Sequence, residues 1–163
     1  MSYIRYKNNN LFVEGVSVRS LTSKLSTPFY LYSEGNIVEN YKSFSSNFKK
    51  SNPLICFSVK ANSNIQILKV LKKMGSGADV VSGGELLKAI KSGIKPNKIV
   101  FSGVGKSEDE IKLAIRKNIL LINVESENEA VLINKIAGGL KKKIAIGIRL
   151  NPDINAPTHK KIS

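Results

Sequence analysis

The chain is poor in several residue types that carry chemistry elsewhere. It has one cysteine, Cys56, which excludes an internal disulfide framework and fits a reducing compartment. The plain role for such a residue is a small buried hydrophobe in a strand. There is one histidine, His159, in a polar tail where it reads as exposed. Triads and histidine-based metal sites are thereby excluded. No apolar run is long enough to span a bilayer, and the polar N-terminus lacks the apolar core of a signal peptide. The expectation is a cytoplasmic protein. Acids are also scarce: 12 Asp+Glu against 26 Lys+Arg leave a net charge of +14, which would suit a nucleic-acid partner. The lysines, however, are spread in short clusters such as Lys72-Lys73 and Lys141-Lys142-Lys143, without interleaved aromatics or a recognisable nucleic-acid module. Neither a nucleic-acid nor a membrane partner is expected.

What is present is an ordinary globular composition of 163 residues, 42% hydrophobic, enough for a real core. Residues 1–32 are β-leaning. Leu11–Val13 and Val16–Val18 flank Glu14-Gly15 in a hairpin pattern, and Pro28–Tyr32 reads as another strand. Ser33 is placed to cap a helix running to about Lys50, with Ile37, Val38, Tyr41, Phe44 and Phe48 on one face.

A repeating rhythm follows. Short apolar runs at Leu54–Val59, Ala78–Val81, Lys98–Phe101 and Leu120–Val124 read as strands. Each is followed by S-x-x-[E/Q]: Ser63/Gln66, Ser82/Glu85, Ser107/Glu110 and Ser126/Glu129. This is the capping box, which satisfies orphan N–H groups at a helix start. Amphipathic runs follow each box, and Gly75, Gly93 and Gly138-Gly139 lie where helices should stop. A fifth strand spans Ile144–Leu150. Strands alternating with helices make a parallel α/β sheet, either open and doubly wound or part of a (β/α)8 barrel.

In both architectures the chemistry lies at the C-terminal strand ends. Those ends carry Lys60 and Asn62, Asp79 and Ser82, Ser102 and Gly103, Asn123, and Arg149 with Asn151. A lysine at a dry strand end can act as an amine nucleophile, typically as a Schiff base. An unpaired carboxylate beside a buried strand is expensive, so Asp79 calls for a cationic partner, with Lys60 and Arg149 as the candidates. Glu85 has a simpler role on spacing, completing its capping box. Gly103-Val104-Gly105-Lys106-Ser107 lacks the glycine spacing of a phosphate loop and reads as a βα loop with Ser107 as N-cap. Gly75-Ser76-Gly77 lacks the third glycine of a dinucleotide fingerprint.

Four stretches together resemble the fold-type III pyridoxal-phosphate decarboxylases, most closely the diaminopimelate branch. They are Phe57–Asn62, Gly77–Leu86, Phe101–Lys106 and 149–156, with Thr27–Tyr32 similar to the family's opening segment. The resemblance implies an incomplete (β/α)8 alanine-racemase-like TIM barrel, about five of eight strands, over residues 33–163. Residues 1–32 would belong to a second, β-rich domain. Lys60 would hold pyridoxal 5'-phosphate as a Schiff base, with Asp79 beside it and Glu85 and Arg149 in the charged network around cofactor and substrate. The implied reaction takes meso-2,6-diaminoheptanedioate to L-lysine and carbon dioxide, in a homodimer when full length.

The family's ring-stacking histidine, glycine-rich phosphate loop, pyridine-pairing glutamate and C-terminal cysteine and tyrosine have no counterpart in these residues. The expectation is therefore an N-terminal fragment, inactive alone. The alternatives are a related ornithine, arginine or carboxynorspermidine decarboxylase, or a non-catalytic pyridoxal-phosphate-binding protein.

Overall fold

The computed structural model describes residues 3–48 and 50–152; His159 and the stretch from Asp153 onward lie outside the described residues. The chain builds two sheets, a three-stranded antiparallel one and a five-stranded parallel one. The first is a meander of β1 (Ile4–Lys7), β2 (Asn10–Val13) and β3 (Val16–Ser17). Its turns place Asn8 and Asn9 at φ +48° and +58°, and Glu14 and Gly15 at +50° and +87°. Two successive positive-φ residues match the right-handed twist of a hairpin.

The N-terminal reading needs three corrections. Val18 opens a short helix, α1 (Val18–Thr22), instead of ending a strand. Pro28–Tyr32 joins no ladder among the described residues; Tyr30 is 90% exposed and stacks on Tyr32 instead. The helix after Ser33, α2 (Glu34–Ser46), is capped as expected, with the Asn36 N–H donating to Ser33 Oγ. It stops short of Lys50. Ser45, Ser46 and Asn47 turn their side chains onto carbonyls three or four residues back, the competition that makes these residues poor helix formers.

The expected alternation then appears: β4 (Cys56–Ser58), α3 (Ile65–Lys73), β5 (Gly77–Val80), α4 (Gly83–Lys91), β6 (Ile99–Phe101), α5 (Glu108–Lys117), β7 (Leu121–Val124), α6 (Glu127–Gly139) and β8 (Ala145–Ile148). Every strand lies beside its successor, in the order β4-β5-β6-β7-β8. Alternate strand residues Ala78, Val80, Ile99, Phe101, Ile122 and Val124 form one core with Leu68, Leu86, Ile111, Ile115 and Ile133 of the helices. The helices therefore cover a single face. A doubly wound sheet would reverse its strand order and take helices on both faces. A sheet wound one way, with right-handed crossovers, curves instead toward a barrel.

The structure is thus a partial barrel, with β4 and β8 as its free edges. On the helix side of β8, Ile146 and Ile148 are 46% and 75% exposed. The opposite, inner face is mixed: Ser58, Asp79, Asn123 and Gly147 alternate with the core residues, and Val100 and Leu121 lie among them. Two helix ends differ from expectation. Asn64, not Ser63, caps α3, and Ser63 Oγ instead accepts from Lys88 Nζ. Helix α6 runs through Gly138-Gly139 and is capped by Leu140. Among the described residues, no helix is long and apolar enough to cross a membrane.

Candidate active site

Lys60 sits in a single 3-10 turn, Val59–Ala61, that follows β4. Val59 is fully buried and anchors the turn, and the Asn62 N–H closes it on the Val59 carbonyl at 3.1 Å. The turn packs on β5. Lys60 itself is exposed, with no hydrogen-bond or ion-pair partner among the described residues.

Asp79 lies one strand over, and Ser58 is its register partner. Among the described residues the cationic partner expected for Asp79 is absent: neither Lys60 nor Arg149 pairs with it. The Ser102 hydroxyl donates to Asp79 Oδ1 at 2.5 Å. Asn123 Nδ2 in turn donates to Ser102 Oγ at 3.0 Å. Asp79 is only half-buried, and hydrogen bonding meets the need of a partly solvated carboxylate without an ion pair. Gly147 on β8 completes the row; a Cβ there would collide with Asn123 Oδ1. Ser58 Oγ, on the β4 side, is buried with no partner. Burial pushes the neighbouring Cys56 thiol up, with Asp79 adding to the effect.

Four glutamates lace the rim of strand ends to the helix starts. Glu110 makes the full capping box, accepting from the Ser107 N–H, and its other oxygen accepts from the Gly83 N–H at 2.7 Å. Those backbone donors, Gly83 first, hold its carboxyl below the usual range. Glu85 and Glu129 reach one residue further back than a capping box requires. They take the N–H of Val81 at 2.9 Å and of Glu125 at 2.7 Å, the positions just before their Ser N-caps. Glu85 thus has one oxygen committed to the backbone. Glu125 accepts from the Gly103 N–H at 3.2 Å.

Two site residues escaped the sequence reading. Lys106 Nζ, fully shielded, donates to the carbonyls of Gly103 and Asn123 and to Glu129 Oε1 at 2.9 Å. Glu125, with 9% of its side chain exposed, pairs with Arg149 Nη1 at 3.2 Å. Arg149 is half exposed, and its Nε donates to Asn151. An acid directly after β7 and a lysine inside a glycine loop were the available signals.

Residues 34–163 match the family described as pyridoxal-dependent decarboxylase, pyridoxal binding domain. The chain belongs to this decarboxylase family. A diaminopimelate decarboxylase of Aquifex aeolicus is 46% identical over 157 residues, which is 96% of this chain and 37% of that protein. That of Helicobacter pylori strain J99 is 53% identical over 137 residues, 84% of this chain and 34% of its own length. The chain therefore spans a little over a third of these relatives. Among solved structures, diaminopimelate decarboxylase from M. jannaschii superposes with a TM-score of 0.88 at 37% identity, over 99% of this chain and 38% of that one. The Helicobacter pylori enzyme complexed with L-lysine gives a TM-score of 0.85 at 48% identity, over 88% of this chain and 36% of that one. The arginine decarboxylase of a Chlorella virus is 19% identical with a TM-score of 0.71, a likeness of fold alone. These four more similar relatives are all diaminopimelate decarboxylases.

Proposed function

We propose that the chain forms the cofactor-binding part of a pyridoxal-phosphate-dependent decarboxylase that converts meso-2,6-diaminoheptanedioate to L-lysine and carbon dioxide. The observation that carries this reading is the placement of Lys60. An unengaged amine tops the first strand of a one-way parallel sheet, one strand from an oriented carboxylate.

The residues present fit the cofactor. Lys60 supplies an amine for its aldehyde carbon, and the inner face around Asp79 offers the polar groups of Ser58, Ser102 and Asn123, with the Ser58 hydroxyl unpaired. When bound, pyridoxal phosphate supplies an electron sink for the pair left as the bond to the substrate carboxylate breaks. In this chain Lys60 would hold the cofactor and Asp79 would present its carboxylate beside it. Arg149, steadied by Glu125, would meet a carboxylate of the amino-acid substrate at the rim, with Glu85 in the same charged network. A homodimer and a cytoplasmic setting complete the proposal; the lone thiol of Cys56 suits the latter.

The test is borohydride trapping of pyridoxal phosphate followed by peptide mapping. The label is expected on Lys60 and absent in Lys60→Ala. Because Lys60 is exposed and unpartnered, that variant should keep its stability within about 0.5 kcal/mol. A label elsewhere, or none, would overturn the reading.

A further inference from the structure

The inner face beyond Lys60 carries a hydrogen-bond chain with a fixed direction. An ionised carboxylate only accepts, so Ser102 gives its one proton to Asp79 Oδ1. Its Oγ can then only accept, so the amide end of Asn123 must turn its NH2 toward Ser102. The amide oxygen is left against β8, where Gly147 alone leaves room for it. Backbone contacts hold both relay residues. The Ser102 N–H bonds the Val80 carbonyl at 2.8 Å, and Lys106 grips the carbonyls of Gly103 and Asn123. On the other flank, Ser58 stands opposite Asp79 in register, yet its hydroxyl makes no bond. Asp79 Oδ2 therefore has no partner among the described residues.

We propose that Ser102 and Asn123 are positioning residues for Asp79, locking Oδ1 toward β6 and leaving Oδ2 for a hydrogen-bond donor bound over the inner face beside Lys60. This rests on the reading of Lys60 as the cofactor lysine. The pair acts through Asp79 and does not itself touch the cofactor. Asparagine is required at 123 because aspartate of the same shape would offer Ser102 a second acceptor and divide its proton between two carboxylates.

The experiment uses the full natural chain loaded with pyridoxal phosphate. It compares wild type, Asp79→Asn, Ser102→Ala, Asn123→Asp and the double variant Ser102→Ala/Asp79→Asn. Two readouts are taken on each: mapped borohydride label at Lys60, and the visible circular dichroism of the bound cofactor per label, which reports its orientation. Label is expected on Lys60 throughout, with the dichroism of Ser102→Ala and of Asn123→Asp reduced about twofold or more. The double variant should match Asp79→Asn alone, since residues acting as one unit are not additive. Asn123→Asp, which changes no volume, carries the test should Ser102→Ala fail to fold. Wild-type dichroism in the relay variants, or effects that add to that of Asp79→Asn, would overturn the proposal with the cofactor lysine intact. An unlabelled Lys60 in wild type would overturn the cofactor reading itself, and the relay's role with it.

Discussion

Lys106 and Glu129 meet out of reach of solvent: the ammonium has no exposed surface and lies 2.9 Å from a carboxylate that is 11% exposed. The same ammonium holds the carbonyls of Gly103, in the loop after β6, and of Asn123 in β7. Removing one member of such a pair strands the other charge. Lys106→Met is expected to cost about 3 kcal/mol in urea unfolding. Glu129→Gln should cost a comparable amount, because it strands the ammonium and its one amide oxygen cannot serve both Lys106 and the Glu125 N–H. Equal, negligible losses in both would show the pair to be idle.

Acid should loosen the rim through Glu110. Its carboxyl is held below the ordinary value of 4.5, first by the Gly83 N–H and then by the Ser107 N–H. The folded form thus binds its proton less readily than the unfolded chain. The resulting stability is complete above the ordinary glutamate value and is lost as pH falls through the folded one. Glu110→Gln should lower the thermal midpoint at neutral pH, and the gap to wild type should narrow as pH falls below the ordinary glutamate value. A gap that stays constant with pH would contradict this.

Two glycines should respond oppositely to alanine. Gly103 has φ +107°, with Val81 Cβ 3.5 Å from where a Cβ would stand. Gly103→Ala should cost about 1–2 kcal/mol and weaken the grip of Glu125 on that N–H. Gly138 lies inside α6 with nothing within 4 Å of a Cβ. Gly138→Ala should stabilise by about 0.5–1 kcal/mol. Thermal melts of the two variants decide both.

The 163-residue polypeptide on its own should self-associate through its free edge. Ile148 is 75% exposed on the helix side of β8, beside a strand edge that pairs with no other strand among the described residues and can recruit another chain. Ile148→Lys should lower the oligomer fraction in light scattering without moving the melting midpoint. Unchanged association would locate the contact elsewhere.

Most of the barrel was legible because each strand is announced by an apolar run and each helix that follows one by a serine three residues before Glu or Gln. Ser82, Ser107 and Ser126 do cap their helices. Ser63 failed because Asn64, one place later, offers the better-placed oxygen to the Gln66 N–H. β1 was not legible: Ile4–Lys7 is exposed along its whole length, so no burial pattern marks it. At the site, the strand-end positions were readable, but not their pairing. Asp79 takes Ser102 and Arg149 takes Glu125 because side-chain partners across strands depend on register, which local patterns do not encode.

The glutamates of the rim grasp backbone amides at Val81, Gly83, Gly103, Ser107 and Glu125, and at Ser107 the hydroxyl as well. Every non-proline residue offers the same N–H, so where neither a glycine conformation nor a cap is needed, as at Val81, the fastening is indifferent to what the position carries outward. The scaffold and the chemistry are thereby separable. A side chain such as that of Val81 is open to exchange, in the laboratory or by descent, while the strand end beneath it keeps its place.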